Sequence, residues 1–418
     1  MALSKTKRVL LWTTAVTMLG VTAIVVGVLA LTGAFSKSIN NGAPQQVNQD
    51  PSGYVLEHVT IVHRHGLRAP SQLSKWSNVE DYPMGLGFLT KKGKQGAAFV
   101  GRVFRTFYQD FLSYSPREVW SRSSTYKRCF ETEYILLGTM YPPRGVWDFG
   151  FPVQPIPITM VPDGNDVNIQ SCSAQPVRDF KQVPDFSITY MFNETHASLQ
   201  HDNFSTVGDF IAWLAQESGY SAENSDFFEP IVDALYAQKY NGLPIPKWAE
   251  EKWSSMDWGM RRLVIGWKSC PTLMLSYEFW KWFIPYYGQY MGKTIAERTG
   301  GAANNTFRER LSILSYHDTT IQALMKALDL DTVKLYPSFL GALHFQLYKR
   351  NSDGEKFVRT VLHQGFAADG SYREAVELSL PNCAFPDCPV NKFVEIMKNL
   401  YPNTDRRFCH PVNMNALL

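Results

Sequence analysis

The chain has 418 residues, of which 45% are apolar and 14% aromatic. This composition excludes an intrinsically disordered protein, and the length allows one large domain or two. It carries 41 Lys and Arg against 38 Asp and Glu, but Lys5, Lys7 and Arg8 supply the whole excess, because residues 1–35 contain no acid. The rest of the chain is balanced in charge, which argues against the basic surface of a nucleic-acid-binding protein.

The 27 residues from Val9 to Phe35 carry no charge and follow a short basic segment. A secretory signal peptide has an apolar core of roughly 7–15 residues, whereas a spanning helix needs about 20. Positive charge before the span holds the N-terminus in the cytosol. The pattern therefore predicts a cytosolic tail over 1–8 and a signal-anchor transmembrane helix over 9–35, with the bulk of this single-pass membrane protein luminal or extracellular. The alternative is a long signal peptide cut after Ala30 or Ala34, which gives a secreted protein.

Residues 36–53 are rich in Asn, Gln, Ser, Gly and Pro, which predicts a flexible stalk before a folded domain over 54–418. Glycosylation sequons and six cysteines are further signs of an exported chain, in which disulfides form. The sequon asparagines are Asn193, Asn203 and Asn304.

The β-branched run His58–His63 has the composition of a strand buried in a parallel sheet. It leads into the loop Arg64-His65-Gly66-Leu67-Arg68-Ala69-Pro70, in which the glycine permits a sharp turn and the proline ends the strand. Two arginines beside one histidine repel each other unless an anion lies between them. A guanidinium binds phosphate oxygens in bidentate fashion, so the loop is a candidate anion site.

A second unit of the same kind starts with Leu311–Tyr316, which is predicted as a strand running into His317-Asp318-Thr319-Thr320. Asp318 or Thr319 is the expected N-cap of the helix that follows, and a helix start favours anions. Apolar residues at helical spacing support that helix: Ile321, Leu324, Met325 and Leu328.

A third unit runs from Val119-Trp120 through Arg122-Ser123-Ser124 into a helix with an apolar face formed by Phe130, Tyr134 and Leu137. We expect the three turns to converge, because the carboxyl ends of parallel strands form the binding edge of such sheets.

A metal site is the alternative use of these residues. His63 and His65 are two residues apart on one strand face, and His317-Asp318 would supply further ligands. The neighbouring arginines would repel a cation, which disfavours this alternative. His63 itself is expected to pack in the core or to support the site indirectly.

Together, the loop Arg64–Pro70 and the pair His317-Asp318 resemble the signature motifs of the histidine acid phosphatases. The resemblance extends from Tyr54 to Cys409. It includes Gly87-Phe-Leu-Thr90 followed by Gly93, which resembles the segment opening the family's first helix. It also includes Arg122-Ser123, Arg128 and Tyr141-Pro-Pro143, which fall where the family has its third arginine and the following helix.

The resemblance implies that His65 is the nucleophile, forming a phosphohistidine, and that Asp318 protonates the leaving alcohol. It implies that the phosphoryl oxygens are bound by the rest of the set: Arg64, Arg68, Arg122 and His317. Three arginines can neutralise a transferring phosphoryl group without a metal, so no metal or cofactor is expected. Nearby guanidinium groups would lower the pKa of His65 and keep part of it neutral, whereas Asp318 must hold a proton at the working pH.

The implied fold is α/β: a three-layer α/β/α domain with a mostly parallel central sheet and an inserted helical cap at about 161–304. Ile211–Leu214 and Ile231–Tyr236 are predicted helical within the cap, and Leu343–Tyr348 with Phe357–Leu362 predict a closing hairpin. A tryptophan-rich stretch of the cap is expected to be core: Trp248, Trp253, Trp258, Trp267, Trp280 and Trp282.

The cysteines follow the same resemblance. Cys172 with Cys409 and Cys383 with Cys388 match disulfides of the family, and Cys129 and Cys270 are left either as a further pair or as buried thiols.

Several positions depart from the family pattern and bear on substrate choice and pH dependence. Leu67 stands where acid phosphatases often have Asp, and Ser124-Thr125 replaces Thr-Asp. Gln346 replaces a Glu, and His63 replaces an apolar or aromatic residue.

The sequence therefore predicts a membrane-anchored or secreted acid phosphatase that hydrolyses small phosphate monoesters. Members of the family are often homodimers, so the resemblance leaves a homodimer open, but no feature of the sequence fixes an interface. One alternative is a narrower enzyme of the phytase-like, inositol-polyphosphate or lysophosphatidate type. A catalytically silent, glycosylated surface protein is the alternative from another class, and the intact set of site residues argues against it. A phosphomutase of the same chemistry is usually cytosolic and fits the export signals poorly.

Overall fold

A mixed eight-stranded sheet forms the centre of the domain. The computed structural model describes residues 53–160, 195–219, 228–266, 309–328, 330 and 335–399, all within the unit Gln46–Leu418. The strands are β1 (Tyr54–Arg64), β2 (Val119–Ser123), β3 (Ile158–Met160), β4 (Leu311–Tyr316), β5 (Ala342–Arg350), β6 (Lys356–His363), β7 (Ala375–Leu378) and β8 (Cys388–Pro389).

Nine helices lie in the described ranges: α1 (Lys91–Phe107), α2 (Lys127–Met140), α3 (Ala197–His201), α4 (Val207–Ser218), α5 (Phe228–Asn241), α6 (Lys247–Glu251), α7 (Trp253–Gly266), α8 (Asp318–Ala327) and α9 (Val390–Asn399). Short 3-10 turns occur at Val79–Asp81, Pro116–Glu118 and Gly145–Trp147. None of these helices is long and apolar enough to cross a membrane. The predicted signal-anchor over 9–35 lies outside the described residues, as does the stalk up to residue 52.

The strand order is β3-β2-β4-β1-β5-β6-β7, with β8 paired to β6. The four strands from β3 to β1 run parallel, and the remaining pairs are antiparallel. The prediction of an α/β domain around a central sheet is confirmed, and so is the closing hairpin, formed by β5 and β6. Five of the eight strands, including β6, point the same way, so the sheet is mostly parallel in direction.

The three predicted strand–turn–helix units use neighbouring strands. In the register of the sheet, Ser315 of β4 lies opposite both His63 of β1 and Ser123 of β2. The three strands therefore end at the same level, and the loops that follow them emerge side by side. This alignment brings the candidate residues to one edge, as expected for parallel strands.

Helices cover both faces of the sheet. Apolar residues of α1 and α2, including Val100, Phe104 and Leu136, pack with Ile61 and Ile313 on one face. On the other face, α8 and α9 supply a second core: Ile321, Leu324, Met325 and Phe393, against Val62, Leu343, Phe345 and Leu347. This burial of apolar side chains is the main source of stability of the domain.

The helices between 197 and 266 form a separate apolar core. Its members include Trp258 from α7, with Trp248 and Trp253 packed beside it, so these three tryptophans are core residues as expected. Trp267, Trp280 and Trp282 lie outside the described residues. The same core contains Leu67, Tyr336 and Phe339, which connect it to the loops at the carboxyl edge of the sheet.

Helix α2 differs from its predicted packing. Phe130 and Tyr134 are exposed, and the buried face is formed by Cys129, Thr132, Glu133, Leu136, Leu137 and Met140. An apolar pattern alone misplaces this face because two of its buried side chains, Thr132 and Glu133, are polar and hydrogen-bonded to the loop and strand below.

Candidate active site

His65 follows β1 directly and is buried. Its Nδ1 lies 2.8 Å from the carbonyl oxygen of Gly66. A carbonyl only accepts, so Nδ1 must carry the proton and donate it. Nε2 of the neutral ring then holds a lone pair, which is the state a nucleophilic histidine requires.

Burial and neighbouring positive charge hold the pKa of His65 well below its ordinary value. Desolvation has the largest effect, followed by the charges of Arg128, Arg64 and Arg68, and then by His317. The ring of His317 is edge-on to that of His65, with centroids 5.5 Å apart. Burial and positive charge therefore both favour the neutral imidazole of His65.

Arg64 is the last residue of β1 and is completely buried. Its Nη2 forms an ion pair with Oδ2 of Asp318 at 3.0 Å, and its guanidinium lies 4.1 Å from the centroid of the Phe339 ring. Asp318 is the first residue of α8, a position that favours a negative charge at the helix start. This places the predicted acid beside a predicted phosphate-binding arginine.

Arg68 is held by a carboxylate from the helical segment. Its Nη1 and Nη2 donate to the two oxygens of Asp233 on α5 at 3.1 and 2.8 Å, a bidentate pair. The backbone N–H of Ser71 also donates to Asp233, and Asn241 donates to the carbonyl of Arg68. The loop carrying His65 is thus joined to α5 through Arg68.

The third arginine near His65 is Arg128, in the first turn of α2. Its Nη2 donates to Nδ1 of His317 at 3.3 Å, and its guanidinium stacks 4.4 Å from the centroid of the Tyr126 ring. Arg122 is buried within β2, opposite Leu314, and its guanidinium carbon lies 6.0 Å from the ring centroid of Tyr316. The structure therefore places Arg128, to which the sequence assigned no role, against His317; the phosphate-binding role of Arg122 stays a prediction.

His317 has partners on both ring nitrogens. Nδ1 accepts from Arg128, which leaves Nε2 as the protonated nitrogen of the neutral ring, 3.4 Å from Oγ of Ser124. Sγ of Cys129 lies 3.7 Å from the same nitrogen and donates to the carbonyl of Tyr316. Burial raises the pKa of Cys129 to about 12, so Cys129 is a neutral, free thiol.

The loop after β1 is fixed by close backbone packing. The N–H of Gly66 donates to Oγ1 of Thr132 at 2.9 Å, and Thr90 caps α1 by accepting from Gly93. A Cβ at Gly93 would lie 1.9 Å from the carbonyl oxygen of Leu67, so only glycine fits where α1 meets the loop. This packing explains the sequence Thr90 to Gly93 at the helix start.

His63 is bonded on both sides of its ring. Nδ1 donates to the carbonyl of Arg64 at 3.2 Å, and Nε2 lies 2.5 Å from Oε2 of Glu133. Both ring nitrogens of His63 therefore have protein partners, and we assign His63 a structural role.

Some of the other predicted sites lie among the described residues, and some do not. Cys383 and Cys388 form a disulfide, with Cα atoms 5.0 Å apart, and Asn203 is exposed on the surface. Cys172, Cys409, Cys270, Asn193 and Asn304 lie outside the described residues.

Sequence reasoning missed Asp233, Glu133 and Tyr336, and it assigned no role to Arg128. Asp233 is 165 residues from its partner Arg68, so no local pattern links them. Arg128 had a detectable signal, since it was the only other arginine in the resemblance around Arg122-Ser123.

No model of a known protein family matches the chain. It is 28% identical over 365 residues to prostatic acid phosphatase of Bos taurus, covering 82% of this chain and 84% of the relative. It is 26% identical over 373 residues to lysosomal acid phosphatase of Homo sapiens, covering 85% and 80%. Among solved structures, a Hafnia alvei phytase in complex with myo-inositol hexakis sulphate superposes with a TM-score of 0.59 at 15% identity, covering 87% of this chain and all of that one (100%). The phytase shares the fold.

Proposed function

We propose that this chain, whose homologues are the prostatic and lysosomal acid phosphatases of the histidine acid phosphatase family, hydrolyses phosphate monoesters at the cluster around His65. The observation that carries the proposal is His65 itself: a buried, neutral imidazole whose Nδ1 donates to a carbonyl, with three arginines around it. Arginine charge attracts a phosphoryl group, and the neutral ring provides the lone pair that attacks it.

In the first step, Nε2 of His65 forms a bond to phosphorus while the ester P–O bond breaks. Asp318 gives its proton to the leaving oxygen, so an alcohol departs and a phosphohistidine remains. In the second step, water attacks phosphorus, the carboxylate of Asp318 takes the proton of that water, and the P–N bond breaks to release inorganic phosphate. Each step needs one proton transfer, and Asp318 returns to its starting state.

The phosphoryl oxygens are bound by Arg64, Arg68 and Arg128, with His317 as a further donor. Arg128 is assigned to this set because it lies against His317 and its charge contributes to the low pKa of His65. The phosphate-binding role predicted for Arg122 stays a prediction, which substitution tests. Oxygen charge spread over a transferring phosphoryl group is stabilised by positioned donors of this type. The proposed mechanism uses no metal ion.

The exported location remains part of the proposal. An exposed Asn203 and a disulfide between Cys383 and Cys388 suit a luminal or extracellular domain. The helices between 197 and 266 would belong to a cap over about 161–304 that forms part of the substrate cleft. The bond from Arg68 to Asp233 supports this, because Asp233 lies on one of these helices.

The test is phosphate release from p-nitrophenyl phosphate by the full-length chain at pH 5 to 7, with and without EDTA. We expect turnover that survives EDTA and is lost in His65→Ala. Acid quenching during turnover should not preserve a phosphoryl adduct, whereas alkaline quenching should, since phosphohistidine is labile to acid and stable to base. His58→Gln is the matched control, because His58 is another buried histidine of β1 and bonds to Ser312, away from the arginines. Activity that persists in His65→Ala would refute the proposal.

A further inference from the structure

Oδ2 of Asp318 has two hydrogen-bonding partners that also contact each other. Nη2 of Arg64 lies 3.0 Å from it and the hydroxyl of Tyr336 3.1 Å from it. Nη1 of Arg64 lies 3.1 Å from the same Tyr336 hydroxyl. Arg64, Tyr336 and Asp318 thus form a closed triangle of hydrogen bonds at the proposed acid.

The direction of each bond follows from the donor inventory. Arginine has no acceptor, so the Tyr336 oxygen accepts from Arg64 and gives its only proton to Asp318. Oδ2 therefore receives two donors, while Oδ1 accepts from the backbone N–H of Thr319 at 2.9 Å. Every one of these bonds favours the carboxylate form of Asp318, although the first chemical step needs the protonated form.

Tyr336 is fixed in this position. Its side chain is buried, and its ring packs edge-on to Tyr236 with centroids 6.5 Å apart. Burial is the main reason that the pKa of Tyr336 lies well above its ordinary value, so the hydroxyl keeps its proton throughout the working range. A hydroxyl that is always protonated and cannot turn to solvent is a permanent donor.

We propose that Tyr336 is a positioning residue for the acid–base chemistry of Asp318: its hydroxyl orients the carboxyl group and sets the pH range over which Asp318 holds its proton. This inference rests on the proposed function. When Arg64 turns to the phosphoryl oxygens, Tyr336 remains as a donor to Oδ2. It then stabilises the carboxylate that forms once Asp318 has protonated the leaving oxygen, and this carboxylate is the base of the second step.

Other charged or titratable groups also face Asp318. They are Arg64 from β1, Arg128 and Cys129 from α2, Asp233 from α5 and the adjacent His317. Of these groups, Arg64 also donates to the Tyr336 hydroxyl; in Tyr336→Phe its Nη1 still has the carbonyl of Pro337 as an acceptor, 3.3 Å away, so we expect Arg64 to stay in place. A change in pH dependence in Tyr336→Phe therefore reports on that hydroxyl.

The experiment compares kcat/KM from pH 4 to 9 for the full-length chain and Tyr336→Phe with two substrates. An alkyl phosphate needs its leaving oxygen protonated, whereas p-nitrophenyl phosphate has a leaving group that departs without a proton. For the alkyl phosphate, we expect the alkaline limb of Tyr336→Phe to move to higher pH by about half to one unit, because the carboxylate has lost one donor. For p-nitrophenyl phosphate, the ratio of variant to parent should stay constant with pH.

Two further variants complete the test. Tyr240→Phe is the matched control, since its hydroxyl accepts from Tyr236 in the same aromatic cluster and should leave the limb unchanged. Site-specific 3-fluorotyrosine at position 336 is a stronger donor of nearly the same shape, so it should move the limb to lower pH, and it serves if Tyr336→Phe fails to fold. If activity depends on His65 but the alkaline limb shifts neither in Tyr336→Phe nor with 3-fluorotyrosine at position 336, the proposed role of Tyr336 is overturned and the proposed function is not. A parent without His65-dependent turnover would overturn the proposed function instead.

Discussion

Glu133 of α2 and His63 of β1 are joined by a 2.5 Å hydrogen bond between side chains that are 0% and 1% exposed. The other carboxyl oxygen of Glu133 accepts from Oγ of Ser121 on β2. One buried carboxyl group thus connects a helix to two neighbouring strands, immediately below the loop that carries His65. The same helix supplies Thr132 to Gly66 and Arg128 to His317, so this contact helps to place both sides of the candidate site.

Replacing Glu133 by Leu should destabilise the protein strongly. His63 would be left buried without its partner, and breaking a buried pair of this kind costs about 3–5 kcal/mol. The double variant His63→Phe/Glu133→Leu should recover most of that loss, because the unpaired imidazole is removed as well and the hydroxyl of Ser121 is the group that still loses its acceptor. Urea unfolding gives the free energies.

The control is Glu131→Gln, whose carboxylate pairs with Lys94 at the surface of the same helix and should change the free energy of unfolding by less than about 0.5 kcal/mol. A Glu133→Leu variant as stable as the parent would show that the contact has no net value.

Substitution of Arg128 should lower kcat/KM far more than substitution of Arg122. Arg128→Gln removes a donor beside His65 and should lower kcat/KM by about a hundredfold or more, the usual cost of one charge-stabilising donor. Arg122→Gln should leave kcat/KM of the folded enzyme nearly unchanged. The measurement is initial rates with p-nitrophenyl phosphate, with folding of both variants checked by circular dichroism. The opposite order would return the phosphate-binding role to Arg122.

Local patterns in the sequence were enough to predict the strands that carry the candidate site. A β-branched run before Arg64, another before His317 and the turn residues after each fix where β1 and β4 end. The choice between Arg122 and Arg128 was not available in the same way, because it depends on where β2 stops and α2 begins. Arg122 lies in β2, whereas Arg128, which contacts His317, lies in the first turn of α2.

Partners from distant parts of the chain were beyond sequence reasoning for a different reason. Asp233 and Tyr336 are defined by what they contact, and neither belongs to a local motif. Glu133 was missed because the helix pattern was read from its apolar residues alone. The structure buries it since His63 and Ser121 satisfy both of its oxygens.

Asp233→Ala tests how far the carboxylate of Asp233 holds Arg68 in place. Loss of a largely buried partner should destabilise the protein by about 3 kcal/mol. Inorganic phosphate should then stabilise the variant more than the parent, because the anion takes the place of the missing carboxylate beside Arg68. Thermal unfolding with and without phosphate measures both effects. Asp353→Ala removes an exposed carboxylate from Arg350 and should show neither. An equal response of Asp233→Ala and parent to phosphate would contradict this assignment.

His363 should make the protein less stable in acid. Burial lowers its pKa from 6.5 to about 3, so the folded state keeps the ring neutral while the unfolded chain takes up a proton below pH 6.5. The stabilisation is complete above pH 6.5 and is lost as the pH falls toward 3, by about 1.4 kcal/mol per unit. The free energy of unfolding of the parent, measured with urea, should therefore fall between pH 7.0 and pH 4.5. In His363→Gln this fall should be smaller by about 2.7 kcal/mol. Tyr372→Phe removes the hydroxyl that contacts Nδ1 of His363 but keeps the imidazole, so it should retain the parent's pH dependence. If His363→Gln also retains that dependence, the buried imidazole is not its source.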